Sequence, residues 1–330
     1  PDRPVYLDVF LEDAIELDVD ALCDTEECYV GAVLEHIEEC GIHSGDSACC
    51  WPPFSLSEKI VDQIRAITKK LALACGIRGL LNIQYAVRDE HVFVIELNPR
   101  ASRTVPFSSK ATGVSLAKYA SRIMAGEKIS ELRAQGLLPD ENRTVDYYAV
   151  KEAVMPWSRF PGADSILGPE MKSTGEVMGI ARTFPAAYAK TREAVENKLP
   201  EQGSVFISVC DRDKRAIAPV AMALENLGYG IYTTGGTAKT LRAAGIDCAT
   251  VNRISDGHPN VVDLMRDKTV SFIINTPHGH EAHSDGTKMR AEAVSQGITC
   301  VTAMSAATAL IQALAAARKS EPETFALQDL

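Results

Sequence analysis

Gln84-Tyr-Ala-Val-Arg-Asp-Glu-His-Val-Phe-Val-Ile-Glu-Leu-Asn-Pro-Arg-Ala-Ser-Arg103 is the stretch on which the reading of this chain turns. Two β-type runs, Gly79 to Val87 and His91 to Leu97, flank Arg88-Asp-Glu-His and predict a hairpin. Glu96 and Asn98 are two apart on a strand, so their side chains share one face. A three-residue turn at 89–91 sets Gln84 directly opposite Glu96. Two amide carbonyls and a carboxylate then converge. Hard cations such as Mg²⁺ take oxygen ligands and are often shared between a carboxylate and nucleotide phosphates. Arg100 and Arg103 follow at once and suit phosphoryl oxygens. The same spacing equally describes a polar hairpin face turned to solvent.

Upstream of the hairpin the pattern is α+β. Val5 to Leu11 and Ala14 to Leu22 read as strands, the second alternating apolar and acidic residues. Ser55 to Cys75 reads as a helix through Ile60, Ile64, Ile67, Leu71 and Ala74, with Ser55 and Glu58 as a capping box. Downstream, Leu116 to Gly126 reads as another helix. Residues 127–199 carry several prolines and read as a connecting region ending in a helix near Ala186 to Lys198, with a boundary at Pro200-Glu-Gln-Gly203. The expected divisions are therefore 1–126, 127–199 and 200–330.

From Ser204 the chain alternates regularly. Strands are expected at Ser204–Val209, Gly230–Thr234, Cys248–Val251, Val270–Asn275 and Thr299–Thr302. The helices between and after them are Lys214–Leu227, Thr237–Ala244, Val261–Arg266, Lys288–Gln296 and Ala306–Arg318. Such alternation implies a doubly wound parallel sheet with ligands at the carboxyl ends of its strands. The polar loops there are Cys210–Lys214, Thr233–Thr237, Asn252-Arg253 and Asn275–Gly279.

The 330 residues carry 34 basic and 44 acidic side chains, a net charge of −10, which disfavours a broad nucleic-acid face but not a local phosphate pocket. No apolar run is long enough to span a bilayer. The nine cysteines lack metal or disulfide spacing and read as reduced, mostly buried thiols of a cytoplasmic protein. His278-Gly-His-Glu-Ala-His283 has the residue types of a zinc site, but a polar loop is the favoured reading.

Glu96-Leu-Asn-Pro-Arg100 with Ser102-Arg-Thr-Val-Pro-Phe-Ser-Ser-Lys-Ala-Thr-Gly113 resembles the ATP-grasp signature of the carbamoyl phosphate synthase large subunit. Glu35-His-Ile-Glu-Glu-Cys-Gly-Ile-His-Ser-Gly-Asp-Ser47, Phe160-Pro-Gly162 and Leu167-Gly-Pro-Glu-Met-Lys-Ser-Thr-Gly-Glu-Val-Met-Gly179 carry the same resemblance. It implies the C-terminal half of an ATP-grasp fold followed by a doubly wound, methylglyoxal-synthase-like domain. It also implies MgATP- or MnATP-dependent phosphorylation of carbamate to carbamoyl phosphate, in pyrimidine and arginine biosynthesis. By motif, Gln84, Glu96 and Asn98 match metal ligands. Val9, Leu11, Glu16, Gly41, Ile42, His43, Ser44, Gln84 and Glu96 match ATP contacts. Arg100, Arg103 and His43 match catalytic positions. The resemblance places the start of this chain inside the ATP-grasp unit, so the chain by itself is expected to be inactive and to bind ATP poorly.

In the second domain Ser208, Lys214, Thr234, Thr237, Arg253 and Asn275 match effector-binding positions for a nucleoside monophosphate, uridine or inosine. Two departures stand out. Arg253 replaces an expected lysine, and Pro277 replaces a hydroxyl residue. A methylglyoxal synthase reaction is not expected, because no catalytic aspartate can be placed near the Thr234–Gly236 turn. Glu38, Asp46 and Glu152 match an acidic site for the ammonium-bearing effector ornithine, or else form a salt-bridged interface. The implied partners are a glutaminase small subunit and, through the C-terminal domain, a second copy of the chain. The rival reading is a stand-alone nucleotide-sensing module without catalysis.

Overall fold

The computed structural model describes residues 3–5, 7–195, 200–277, 282–319, 323–324 and 326–329. They form two compact units, one ending at Ser44 and resuming at Cys49–Val145, the other Gly45–Ala48 with Asp146–Asp329. Among the described residues no helix is long and apolar enough to cross a membrane.

The first unit contains β1 (Ile15–Asp24), β2 (Cys28–His36), β3 (Cys49–Trp51), α1 (Glu58–Ala74), β4 (Arg78–Arg88), β5 (His91–Asn98), α2 (Val105–Thr112), α3 (Leu116–Met124) and α4 (Ile129–Ala134). Its strands pair antiparallel in the order β5-β4-β1-β2-β3. Period-two alternation in β1 sends Leu17, Val19 and Ala21 to one face, where Ile60, Val61 and Ile64 of α1 cover them. On the other face Leu22 packs under Leu116 and Ile123 of α3 and Leu132 of α4. That same face carries Glu16, Asp18 and Asp20, which are not in solvent but buried.

Several expectations are corrected here. Residues 7–11 form no strand, and Val5, Leu7 and Val9 lie exposed. Their alternation supplies only one side of a ladder, and a strand needs a partner for its backbone groups. The capping box fails too. Helix α1 starts from Ser57, and Ser55 instead gives its N–H (3.0 Å) and its hydroxyl to the buried Glu35 carboxylate. Strand β2 went unread because Gly31 interrupts its apolar run. A Cβ there would sit 2.7 Å from Leu116 Cδ2, so the glycine marks close packing rather than a turn.

The second unit opens with β6 (Tyr148–Val154) and β7 (Gly175–Ala181), an antiparallel pair, and α5 (Phe184–Ala194). Both strands lie in the stretch expected to be irregular. A parallel five-stranded sheet follows: β8 (Ser204–Val209), β9 (Gly230–Thr233), β10 (Ala249–Thr250), β11 (Phe272–Thr276) and β12 (Thr299–Val301), ordered β10-β9-β8-β11-β12. Helices α6 (Lys214–Asn226), α7 (Gly235–Ala243) and α10 (Met304–Ala317) pack on one face, against Val205, Ile207 and Ile274. Helices α8 (Val261–Arg266) and α9 (Ala282–Gln296) pack on the other, against Phe206 and Ile273. The sheet is doubly wound, as the alternation implied.

Gly179 of β7 lies under α5, where an added Cβ would collide with the Ala187 carbonyl oxygen. A backbone atom cannot swing aside as a side-chain end can. Gly179→Ala is expected to lower stability by about 1–3 kcal/mol. Denaturant unfolding checks this, and an unchanged midpoint would refute the close approach.

Candidate functional site

The β4–β5 ladder brings the hairpin donors together. Gln84 pairs with Glu96 and Asn82 with Asn98. The turn is not the three-residue one expected. Arg88 pairs with His91, leaving Asp89 and Glu90 as a two-residue turn with φ of 50° and 62°, the left-handed pair of a type I′ hairpin. The register then shifts between Gln84 and Tyr85, where Ile95 is the extra residue on β5. The bulge restores the Gln84–Glu96 pairing that the wrong turn had suggested.

Asn98 Nδ2 donates to Glu96 Oε1 at 2.7 Å, which fixes the amide with its oxygen away from the carboxylate. Glu96 is exposed, while Gln84 and Asn98 are half-buried. One carboxylate and two amide oxygens at the sheet surface fit a hard divalent cation whose remaining ligands are phosphate oxygens and water. Among the described residues no cluster of three or more His, Cys, Asp or Glu forms a metal site by itself. Arg100 and Arg103 are exposed, and among the described residues neither guanidinium is in an ion pair, so both are available to an anion.

The other positions expected to contact ATP lie around Glu16, at the start of β1 and two residues from Asp18, the register partner of Gln84. The Gly41 N–H donates to Glu16 Oε2 at 2.8 Å, tying the 41–44 loop to the strand. Gly41 has φ 97°, and a Cβ on it would lie 3.0 Å from the Phe10 ring, so the 9–11 segment runs over this loop. Glu16 is buried, His43, Ile42, Ser44 and Leu11 are half-buried, and Val9 is exposed.

The sequence reading missed the floor of the site. Asp18 bonds His36 Nε2 at 2.9 Å, and Asn82 Nδ2 donates to Asp18 (3.0 Å) and Asp20 (3.1 Å). Burial pushes the Asp20 carboxyl above its ordinary value; hydrogen bonds from Ser102, Ser108 and Thr104 oppose this, and the charge of Asp18 adds to it. Acids alternating with apolar residues usually mark a solvent face, and only their burial reveals another use.

In the second unit Ser208, Lys214, Thr234, Thr237, Arg253 and Asn275 all line one cavity of about 610 Å³. Strand order reverses beside β8, and the cavity lies at the carboxyl ends of β8, β9 and β11 there. Thr234 caps α7, whose first residues are Gly235 and Gly236. The Lys214 ammonium lies 3.5 Å from the position a Cβ on Gly236 would take. A lysine thus lies beside the glycine-lined N-terminus of α7 in the wall of one cavity, and both favour an anion there. Lys214 also pairs with Asp211, whose carboxyl it holds below the ordinary range.

Asn275 is more committed than expected. Its Nδ2 donates to the Ser208 carbonyl at 2.8 Å, and its Oδ1 accepts Arg290 Nη1 at 3.1 Å. Arg290 is fully buried and also grips Asp164 through Nε (2.5 Å) and Nη2 (2.8 Å). No local signal points to this pair, which spans 126 residues of sequence. Of the three expected acidic effector positions, Asp46 accepts the Lys172 and Ser173 N–H groups at 2.8 and 2.9 Å. Glu152 accepts Thr191 at 2.8 Å and pairs with Arg192, while Glu38 is half-buried. All nine cysteines are free thiols. The histidine-rich segment 278–283 has its side chains outside the described residues.

Two family models match the chain: "Carbamoyl-phosphate synthase L chain, ATP binding domain" over residues 1–132, and "MGS-like domain" over residues 216–302. The chain is similar to the carbamoyl phosphate synthase large chain of Acidobacterium capsulatum, 47% identical over 328 residues, covering 99% of this chain and 30% of that one. It is also similar to the carbamoyl phosphate synthase large chain, C-terminal section, of Aquifex aeolicus, 46% identical over 98% of this chain and 62% of that one. Among solved structures it resembles a biotin carboxylase domain of a single-chain bacterial carboxylase, with 16% identity, a TM-score of 0.44 and coverage of 55% and 47% of the two chains. The chain spans about a third of the full-length large chains it matches. It therefore belongs to the carbamoyl phosphate synthase large-chain family and corresponds to the C-terminal section, an ATP-grasp-type ATP-binding domain followed by a parallel-sheet MGS-like domain.

Proposed function

We propose that this chain is the part of a cytoplasmic ATP-grasp ligase that phosphorylates carbamate, and that its second unit senses a nucleoside monophosphate. The supporting observation is that the ladder brings Gln84, Glu96 and Asn98 onto one sheet face, with Arg100 and Arg103 next in sequence, exposed and, among the described residues, outside any ion pair. Gln84, Glu96 and Asn98 would hold Mg²⁺ or Mn²⁺. Such an ion supplies charge neutralisation across the nucleotide phosphates. Glu16 and the 41–44 loop would receive the nucleoside, with His43 near the reacting anion. Val9 and Leu11 would meet adenine through main-chain groups. A carbamate oxygen already carries negative charge, so it attacks the γ-phosphorus without a strong base, while the bond from that phosphorus to the β–γ bridging oxygen breaks and ADP leaves. The contribution of the protein is position and electrostatics. Arg100 and Arg103 would offset charge on the transferring phosphoryl oxygens.

The remaining proposals follow from the family. A glutaminase small subunit is the partner, and the C-terminal domain is a surface for self-association. We keep 1–126, 127–199 and 200–330 as the functional divisions. The effector pocket takes phosphate between Lys214 and the N-terminus of α7, and the base toward Asn275. Charge-assisted contacts to phosphate are strong, so Lys214→Ala is expected to weaken binding by about 1.5–3 kcal/mol, one to two decades. Calorimetric titration with uridine and inosine monophosphates tests this. Equal affinity in both proteins would move the phosphate elsewhere, and no binding of either nucleotide at millimolar concentration would remove the sensing role.

A further inference from the structure

The residues on either side of Arg103 end on a single buried carboxylate. Asp20 is fully buried in β1. Its Oδ1 accepts the Ser102 hydroxyl at 2.6 Å and Asn82 Nδ2 at 3.1 Å. Its Oδ2 accepts the Thr104 and Ser108 hydroxyls, both at 2.7 Å. The Thr104 N–H closes the segment on Ser102 Oγ at 3.2 Å. Three of the four donors to Asp20 therefore come from residues 102–108, which the sequence places more than 80 positions away.

Stability alone does not call for this arrangement. A buried carboxylate is costly to desolvate, and apolar packing of the same volume is often no worse. What the acid provides is geometry. Short, charge-assisted bonds from hydroxyls hold backbone that would otherwise move as a surface loop. Arg103 sits between two residues so held, with its own side chain exposed. Asn82, the fourth donor, is the register partner of Asn98, so the same carboxylate ties the arginine segment to the Gln84–Glu96–Asn98 ladder.

Resting on the carbamate-phosphorylation reading, we propose that Asp20 is a positioning residue for phosphoryl transfer: by holding Ser102 and Thr104 it aims Arg103 at the transferring group. The test is a double-mutant cycle in a complete large chain carrying this sequence, reading carbamoyl phosphate formation and thermal unfolding. Misplacement of a catalytic group by about 1 Å costs on the order of 100-fold, so Asp20→Asn is expected to lower kcat roughly 10- to 100-fold. The KM for ATP should change little. Arg103→Ala should lose at least as much, and the double variant should be no slower than Arg103→Ala alone, since residues acting as a unit are not additive.

If the two losses multiply, Asp20 acts through the fold and not through Arg103, and the proposal is overturned while the reading of the site stands. If Arg103→Ala keeps its normal rate, the role given to Arg103 in that reading fails, and the proposal with it. Thr104→Val keeps the shape and the acid, and guards against misfolding of the Asp20 variant. It should show a smaller loss that likewise vanishes in the Arg103→Ala background, and a multiplying loss again overturns the proposal.

Discussion

Glu96→Ala in a complete large chain is expected to abolish carbamoyl phosphate formation. Glu96 is the charged member of the Gln84–Glu96–Asn98 set, and it also receives the Asn98 amide at 2.7 Å. On the proposed reading the variant therefore loses a cation ligand, together with the carboxylate that holds the Asn98 amide. Removing one preorganised electrostatic contact costs on the order of 100- to 1,000-fold in rate, and this change removes more than one. Glu96 is exposed, so its loss should leave the fold intact. Three measurements separate the explanations. Carbamoyl phosphate output reports the reaction, and thermal unfolding reports the fold. Binding of Mn²⁺ in the presence of ATP reports the cation without needing turnover. Bicarbonate-dependent ATP hydrolysis, which the family resemblance assigns to a different unit, should survive in part. Near-normal output together with unchanged Mn²⁺ binding would remove the metal assignment.

The hairpin that carries this residue shows what sequence can and cannot deliver. Gln84 does face Glu96, but through a two-residue turn and a bulge that offset each other. Turn length and register are separate degrees of freedom, and alternation alone constrains neither. The parallel sheet was legible because buried parallel strands are short apolar runs with helices between them. Strands β6 and β7 were not. Lys151 is 1% exposed and Glu152 8%, and the partners of Glu152, Thr191 and Arg192, lie about 40 positions away. A charged residue inside a strand reads as surface unless its distant partner is known. Asp20 is not singled out by the sequence for the same reason, since three of its donors come from past residue 100. Local pattern identifies which faces are apolar. The pairing of buried charges is a tertiary fact.

Asp164→Ala is expected to be the most destabilising change in the second unit. It leaves the Arg290 guanidinium fully buried with Asn275 Oδ1 and Thr287 Oγ1 as its remaining partners. Removing one partner of a buried ion pair typically costs about 3–5 kcal/mol. The Asp164 side chain is 24% exposed, so solvent screens part of the pair and the lower end applies, about 3 kcal/mol. For a unit of this size that is roughly 6–12 °C in Tm. Arg290→Met should cost less, because it leaves the charge with access to water rather than without it. The double variant should recover stability relative to Asp164→Ala, which a simple loss of contacts would not allow. The pH dependence follows from the carboxyl. Burial raises it, but Arg290 and the Ile166 N–H outweigh that and hold it below its ordinary 3.8. A carboxyl depressed in the folded state stabilises above its unfolded value and loses that contribution as pH falls through the folded one. The stability gap between the native sequence and Asp164→Ala should therefore be constant from neutrality to about pH 5 and close progressively below pH 3.8. Denaturant unfolding at a series of pH values measures both. A gap that is absent at neutral pH, or that persists unchanged in acid, would mean that the Asp164–Arg290 ion pair does not stabilise the second unit.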